Sequence, residues 1–142
     1  MQEVVTFPRS LINQLLHQAQ VSPAAEICGL IGSRHGIPTS CYPVRNIAER
    51  PAVRFWMDPQ EQIGAMRKMR ENHEEIFAIY HSHPTAPAEP SAIDLDQANY
   101  PDALQIIISL NIKGVLEMRG FRLRERGPAE EIILGICNTG TR

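Results

Sequence analysis

The sequence lacks several features that would each assign it to a class of protein. No apolar run in its 142 residues approaches the ~20 residues that cross a bilayer, and its start lacks the hydrophobic segment of a signal peptide. We therefore expect a cytoplasmic protein without a membrane partner. The net charge is only −2 and the signs are interspersed, so no broad basic surface is evident and nucleic acid is not expected as a partner.

Cysteine is also scarce. The three cysteines, Cys28, Cys41 and Cys137, stand in apolar surroundings without Cys-x-x-Cys spacing. This pattern is typical of buried thiols in a reducing cytosol and not of a disulfide framework or a zinc knuckle. A second metal site built from cysteine and histidine is therefore not expected.

Repeats, low-complexity segments and internal linkers are absent from the sequence as well. A chain of 142 residues with 43% apolar and 21% charged residues suits one domain with one core. We predict this domain over residues 1–137 and a mobile tail over 138–142. The one basic segment, 119–126, alternates like a strand with a solvated face, and this interpretation is favoured over a polyanion site.

Hydrophobic periodicity predicts a mixed α/β domain in which one sheet is flanked by two to three helices. Helices are predicted over residues 8–21, 58–73 and 91–100. Strands are predicted over residues 4–7, 26–32, 37–46, 53–57, 76–80, 103–112, 114–126 and 130–137. In the second helix, Ile63, Met66 and Met69 are expected to face the core.

Two histidines separated by one residue end the predicted strand over 76–80. Because side chains alternate along a strand, His81 and His83 project from the same face and can chelate one ion. A Pro-rich segment then turns the chain back, so that Asp94, near the start of the next helix, can add a carboxylate oxygen. Two imidazoles, one carboxylate and one position for water are how a catalytic zinc is held.

Each part of this motif also has a simpler interpretation. A His-x-His pair is more often structural, and Ser91-x-x-Asp94 alone is most simply a helix N-cap box. Glu26, directly before an apolar strand, is either a solvent-facing residue or a general base whose pKa is raised by partial burial. The combination favours chemistry, although the sequence alone does not place Glu26 near His81.

The pattern of Glu26, then His81-Ser82-His83-Pro84, then Pro90-Ser91-x-x-Asp94 closely resembles the JAMM, or MPN-plus, metalloprotease motif. The likeness extends over about residues 5–125 and therefore implies the family's cytidine-deaminase-like fold as well. It implies one Zn²⁺ per chain, with His81, His83 and Asp94 as its ligands. It further implies Glu26 as the general acid/base and Ser91 as a hydroxyl donor to the oxyanion. Asp96 lies nearby, but its offset does not match the motif.

Members of this family cleave isopeptide or peptide bonds that follow ubiquitin or small ubiquitin-like proteins. The connection between the second helix and the metal strand has no room for insertions that grip a second ubiquitin, so the chain is similar to the small prokaryotic members. The resemblance implies a zinc-dependent peptidase that acts on the C-terminal tail of a ubiquitin-like protein of the sulfur-carrier type. A homodimer, a metal-free scaffold of the same fold and a RadC-like, DNA-associated protein stay open.

Overall fold

The computed structural model describes residues 2–92, 94, 104–124 and 128–138. Within these residues the chain forms two helices, α1 (Arg9–Gln20) and α2 (Pro59–Glu71). It also forms seven strands: β1 (Val4–Pro8), β2 (Cys28–Arg34), β3 (Ile37–Val44), β4 (Glu75–His83), β5 (Leu104–Ser109), β6 (Glu117–Arg122) and β7 (Glu130–Cys137). This architecture is the mixed α/β domain that the sequence predicts.

The seven strands form one mixed sheet in the order β1-β7-β6-β5-β4-β2-β3. The pairs β1–β7 and β4–β5 are parallel, and the other neighbours are antiparallel. The sheet curls, and its two edge strands, β1 and β3, approach each other. Because β4 and β5 are parallel, their carboxyl ends meet at one edge of the sheet, where His83 is paired with Ser109.

Alternation along the central strands separates two cores, one on each face of the sheet. Helix α1 packs on the first face, because its apolar residues recur at helical spacing; they are Leu11, Ile12, Leu15 and Ala19. Helix α2 packs on the second face, where Ala65 and Met69 contact a cluster that includes Ile79 of β4. His81 and His83 follow Ile79 at intervals of two residues and therefore belong to the face that α2 covers.

Two predictions about the segment around α2 are wrong. Residues 53–57 do not form a strand: within the described chain this segment contributes only one isolated bridge, between Asn46 and Met57. The reason is local, because the Trp56 N–H donates to the Asn46 side chain and not to a strand. Ile63 does not face the core but is 58% exposed, since it lies about 120° around the helix from Met69.

Smaller differences concern the element boundaries and the cysteines. Pro8 ends β1, and α1 begins one residue later than predicted. Only Cys28 is buried, whereas Cys41 and Cys137 are partly exposed, and none of the three cysteines forms a disulfide. The predicted third helix over 91–100 and the predicted tail over 138–142 lie mostly outside the described residues. In the described part of the chain, no helix is long and apolar enough to cross a membrane.

The basic segment lies on β6 and directly after it. Its described arginines are paired with carboxylates, as Arg119–Glu131, Arg122–Glu3 and Arg124–Glu130. The charges of these arginines are therefore balanced locally, as the interpretation of a solvated strand face requires.

Candidate metal centre

The register of the sheet brings Glu26 to the histidines. Strands β2 and β4 are antiparallel with Cys28 opposite His81, and the same register, continued past the end of β2, sets Glu26 opposite His83. Two hydrogen bonds hold the strands together at this point: Ile27 N–H donates to Ser82 Oγ (2.9 Å), and Ser82 N–H donates to Ile27 O (3.0 Å). Ser82, which lies between the two histidines, therefore holds Ile27, the residue after Glu26, against β4.

Three side chains converge at the carboxyl end of β4. The distances from His81 Nε2 to His83 Nε2, from His81 Nε2 to Asp94 Oδ2 and from His83 Nε2 to Asp94 Oδ2 are each 3.1 Å. All three residues are buried. A tetrahedral zinc with bonds of about 2.0–2.1 Å separates its ligands by about 3.3 Å, so this triangle has the size of one face of a zinc site.

The backbone that carries Asp94 is set by a reciprocal pair of hydrogen bonds. Ser91 N–H donates to Asp94 Oδ2 (2.8 Å), and Asp94 N–H donates to Ser91 Oγ (3.0 Å). This is the N-cap box that the spacing of Ser91 and Asp94 suggested as the simpler interpretation. The box and the metal centre do not exclude each other, because Oδ2 of Asp94 faces both the Ser91 amide and the imidazoles.

The Glu26 carboxylate lies beside the histidines and is almost completely buried, with 4% of the residue exposed. One of its oxygens and one ring nitrogen each from His81 and His83 all lie within 4.8 Å of one another. None of the described residues offers a hydrogen bond to Glu26 Oε1. Burial raises the pKa of Glu26 from an ordinary value of 4.5 to about 8, although His83 opposes this shift.

Contacts of the two imidazoles orient them. His83 Nδ1 lies 2.8 Å from the carbonyl oxygen of Pro87, which only accepts hydrogen bonds. In neutral His83 this contact places the proton on Nδ1 and leaves the Nε2 lone pair for an ion. Without an ion, burial alone would lower the pKa of His83, but its hydrogen bonds with Asp94 and Pro87 together outweigh burial and raise it. The His81 ring stacks on Phe55, with centroids 4.6 Å apart. No described residue is hydrogen-bonded to His81 Nδ1, and burial lowers the pKa of His81, which keeps this ring neutral.

Two carboxylates, those of Asp94 and Glu26, are candidates for the third ligand, and their pKa values shift in opposite directions in the metal-free protein. Burial alone would raise the pKa of Asp94, but hydrogen bonds with His81 and His83 outweigh it and hold the pKa well below its usual range. Without a bound ion Asp94 is thus ionised, whereas burial favours the protonated form of Glu26. The donor set therefore fits a divalent ion held by the two histidines and a carboxylate, with Asp94 Oδ2 3.1 Å from both imidazole nitrogens and Glu26 beside them.

Several residues that complete the site were not singled out from the sequence. Phe55 and Pro87 contact the imidazoles, but the sequence analysis gave neither of them a role in the site. A narrow cavity of about 60 Å³ opens onto the site and is lined in part by Glu26, His83, Ser91, Ala52 and Val53. Its wall from residues 52 and 53 belongs to the irregular segment between β3 and α2, in which the sequence analysis assigned no functional residue.

Comparisons with known proteins show the family of this chain. The family described as prokaryotic homologs of the JAB domain matches residues 8–124. The chain is 30% identical over 102 residues to the desampylase of Haloferax volcanii (70% of this chain, 73% of the relative). It is also 30% identical over 130 residues to the CysO-cysteine peptidase of Mycobacterium tuberculosis (90% of this chain, 88% of the relative).

Solved structures show the same fold. The solution structure of a protein from Desulfitobacterium hafniense superposes with a TM-score of 0.84 at 30% identity and covers 94% of this chain and 93% of that one. A JAB1/MPN domain protein from Archaeoglobus fulgidus superposes with a TM-score of 0.59 at 15% identity, covers 97% of this chain and 98% of that one, and supports the fold alone.

Proposed function

We propose that this chain, which belongs to the prokaryotic JAB family, is a zinc-dependent peptidase that hydrolyses a peptide or isopeptide bond at the C-terminal tail of a ubiquitin-like protein of the sulfur-carrier type. Membership in the family agrees with the resemblance that the motif carries. The names of the relatives from Haloferax volcanii and Mycobacterium tuberculosis, a desampylase and a CysO-cysteine peptidase, support the proposed reaction class.

One observation carries the proposal: His81, His83 and Asp94 present three ligand atoms at mutual distances of 3.1 Å, and the Glu26 carboxylate lies beside them. These three residues would hold one zinc ion. When bound, zinc supplies a Lewis acid that lowers the pKa of water towards ~7 and polarises the scissile carbonyl. Burying two imidazoles and a carboxylate against one another costs free energy, and a metal-free scaffold needs none of them.

Glu26 is the proposed general base and acid. Its pKa of about 8 lies near neutral pH, where a group accepts and returns a proton most effectively. We infer that Glu26 takes a proton from the attacking water and passes it to the leaving amine. The unpartnered Oε1 is the atom that is free for this transfer among the contacts that the structure describes.

Ser91 is the proposed donor to the oxyanion. Its oxygen accepts the Asp94 amide hydrogen, so its own hydrogen stays available as a donor. It lines the same narrow cavity as Glu26 and His83. A hydroxyl in this position can stabilise the charge that develops on the carbonyl oxygen in the transition state. The small cavity suits an extended peptide with small side chains, as at a flexible protein tail.

The test uses a ubiquitin-like carrier protein that is encoded near this protein and extended at its C-terminus by one cysteine or a short peptide. Incubation with the zinc-loaded protein should remove a defined mass from the tail, which mass spectrometry would record, and chelator treatment should abolish the loss. Absence of both bound zinc and tail cleavage would favour the metal-free scaffold. Salt-sensitive DNA binding without tail cleavage would favour the RadC-like alternative. The cytoplasmic location and the homodimer stay predictions.

A further inference from the structure

Asn46, two residues after β3, connects three separate parts of the site through its side-chain amide. Nδ2 donates to Glu26 O and to Arg54 O, both at 3.0 Å. Oδ1 accepts from Ala48 N–H at 3.0 Å and from Trp56 N–H at 2.9 Å. The amide therefore uses both of its hydrogens and both acceptor positions of its oxygen, and every partner is a backbone group.

This set of partners specifies asparagine and one orientation of its amide. A flipped amide would set its oxygen against two carbonyl oxygens and its NH₂ group against two N–H donors. Aspartate keeps the acceptor that faces Ala48 and Trp56 but offers no hydrogens to Glu26 O and Arg54 O. Asn46→Asp therefore removes the two bonds that Nδ2 donates, to Glu26 O and Arg54 O. It keeps the two that Oδ1 accepts from Ala48 and Trp56.

The position of the Glu26 carboxylate depends on the backbone of Glu26. Residue 26 precedes β2, so the ladder with β4 does not hold it directly. Its N–H donates to Pro51 O at 2.7 Å, and its carbonyl accepts from Asn46. No described residue is hydrogen-bonded to Oε1, so the carboxylate depends on packing and on the backbone of Glu26 for its position. Asn46 and the segment that it orders thus set where the carboxylate lies.

The same amide also shapes the cavity. Asn46 binds Ala48, Arg54 and Trp56, at both ends of the segment whose residues 52 and 53 line the site. Backbone pairing of Ile47 N–H with Trp56 O at 2.8 Å closes the segment next to it. Phe55, the residue that stacks on His81, lies between two of the residues that Asn46 binds.

We propose that Asn46 is a positioning residue, which holds the Glu26 backbone and the 47–56 segment so that the carboxylate meets the reacting atoms. The inference rests on the proposed function for its catalytic consequence and on the hydrogen bonds alone for its structural part. A displacement of about 1 Å at a catalytic group can lower a rate by about 10²-fold. Asn46→Ala and Asn46→Asp should therefore lower kcat by about ten- to a hundred-fold while KM and zinc content stay within two-fold of the wild type.

The structural part is measured in the metal-free protein by amide hydrogen exchange and by the fluorescence of Trp56, the one tryptophan of the chain. The Glu26 N–H donates to Pro51 O, and the carbonyl of the same residue accepts from Asn46. Loss of the bond from Asn46 should loosen this part of the backbone, so exchange protection of the Glu26 amide should fall at least about ten-fold in both variants. Fast local motion of the Trp56 indole, seen in time-resolved anisotropy, should increase in Asn46→Ala. In Asn46→Asp it should stay close to the wild type, since the acceptor for Trp56 N–H is kept.

Asn72→Ala is the matched control. Asn72 also donates from its side-chain amide, to the Tyr42 hydroxyl at 3.1 Å, but it lies before β4, about 20 Å along the strand from His81. We expect the kcat of Asn72→Ala, and the hydrogen exchange of the Glu26 amide in this variant, to equal those of the wild type. A merely structural contribution of Asn46 would lower the melting temperature and leave kcat per zinc-loaded molecule unchanged.

Two results would overturn the proposal: a kcat within two-fold of the wild type in both Asn46 variants, or unchanged exchange of the Glu26 amide in both. If the wild type cleaves no tail at all, the proposed function fails, and the exchange data decide the inference by themselves. Lost protection in the Asn46 variants then supports the positioning role, and retained protection refutes it.

Discussion

Glu26→Gln should change how the stability of the metal-free protein depends on pH. The buried carboxyl has a pKa of about 8 in the folded protein against an ordinary value of 4.5. Between about pH 4.5 and pH 8 the folded protein keeps a proton on Glu26 that the unfolded chain releases, so the free energy of unfolding falls as pH rises. At about 1.4 kcal/mol per pKa unit, ionisation of folded Glu26 costs at most about 5 kcal/mol, and roughly 4 kcal/mol of this develops between pH 5 and pH 9.

Urea unfolding of the wild type and of Glu26→Gln at several pH values, with chelator present, measures this effect. The free energy of unfolding of the variant, relative to the wild type, should increase by up to about 4 kcal/mol from pH 5 to pH 9, because glutamine does not titrate. Glu75→Gln, at an exposed carboxylate at the start of β4, is the control and should show no such increase. Parallel pH curves for the wild type and Glu26→Gln would refute the assignment of a buried, proton-holding Glu26.

Three further substitutions test the site and the sheet. His83→Ala should abolish stoichiometric zinc binding, measured by metal analysis, and an unchanged zinc content would exclude His83 as a ligand. Ser91→Ala should lower kcat by about 10²-fold with KM little changed, and an unchanged kcat in the zinc-loaded variant would remove it from the oxyanion role. Gly29→Ala should destabilise the fold by about 2–3 kcal/mol in urea unfolding, because its Cβ would lie 2.5 Å from Tyr80 Oη. Gly64→Ala is the control, because nothing lies within 4 Å of the added Cβ, and it should stabilise the fold. Equal free energies of unfolding for Gly29→Ala and the wild type would contradict the close packing on β2.

The parts of the fold that sequence reasoning predicted well are those in which burial follows a regular period. Helix α1 places its apolar residues at helical spacing, and β4 and β5 are continuous apolar runs, so the pattern identifies them directly. The segment 53–57 has the same apolar and aromatic composition as a strand, but its backbone groups bond to Asn46 instead of a neighbouring strand. Hydrogen bonds from one side chain, that of Asn46, thus replace the strand pairing that the composition of 53–57 predicts. Composition alone does not reveal such bonds.

The candidate site shows a similar division. The alternation of His81 and His83 on one strand is local and could be predicted from spacing alone. The approach of Glu26 to His83 depends on the antiparallel register of β2 and β4, which places Ile27 against Ser82, 55 positions along the chain. This pairing could not be predicted from local sequence patterns. Asn46 followed by a polar, irregular segment offered a weak signal for a capping side chain, since asparagine commonly bonds to nearby backbone groups.

The most direct test is a zinc titration of the metal-free wild type and of Glu26→Gln, in which bound zinc and the rate of tail cleavage are recorded together. In the wild type the rate should rise with bound zinc and level off at one ion per chain. Glu26→Gln should bind the same amount of zinc and cleave at least about 10²-fold more slowly. Full cleavage by the metal-free wild type, or a wild-type rate in zinc-loaded Glu26→Gln, would contradict the proposed metallopeptidase.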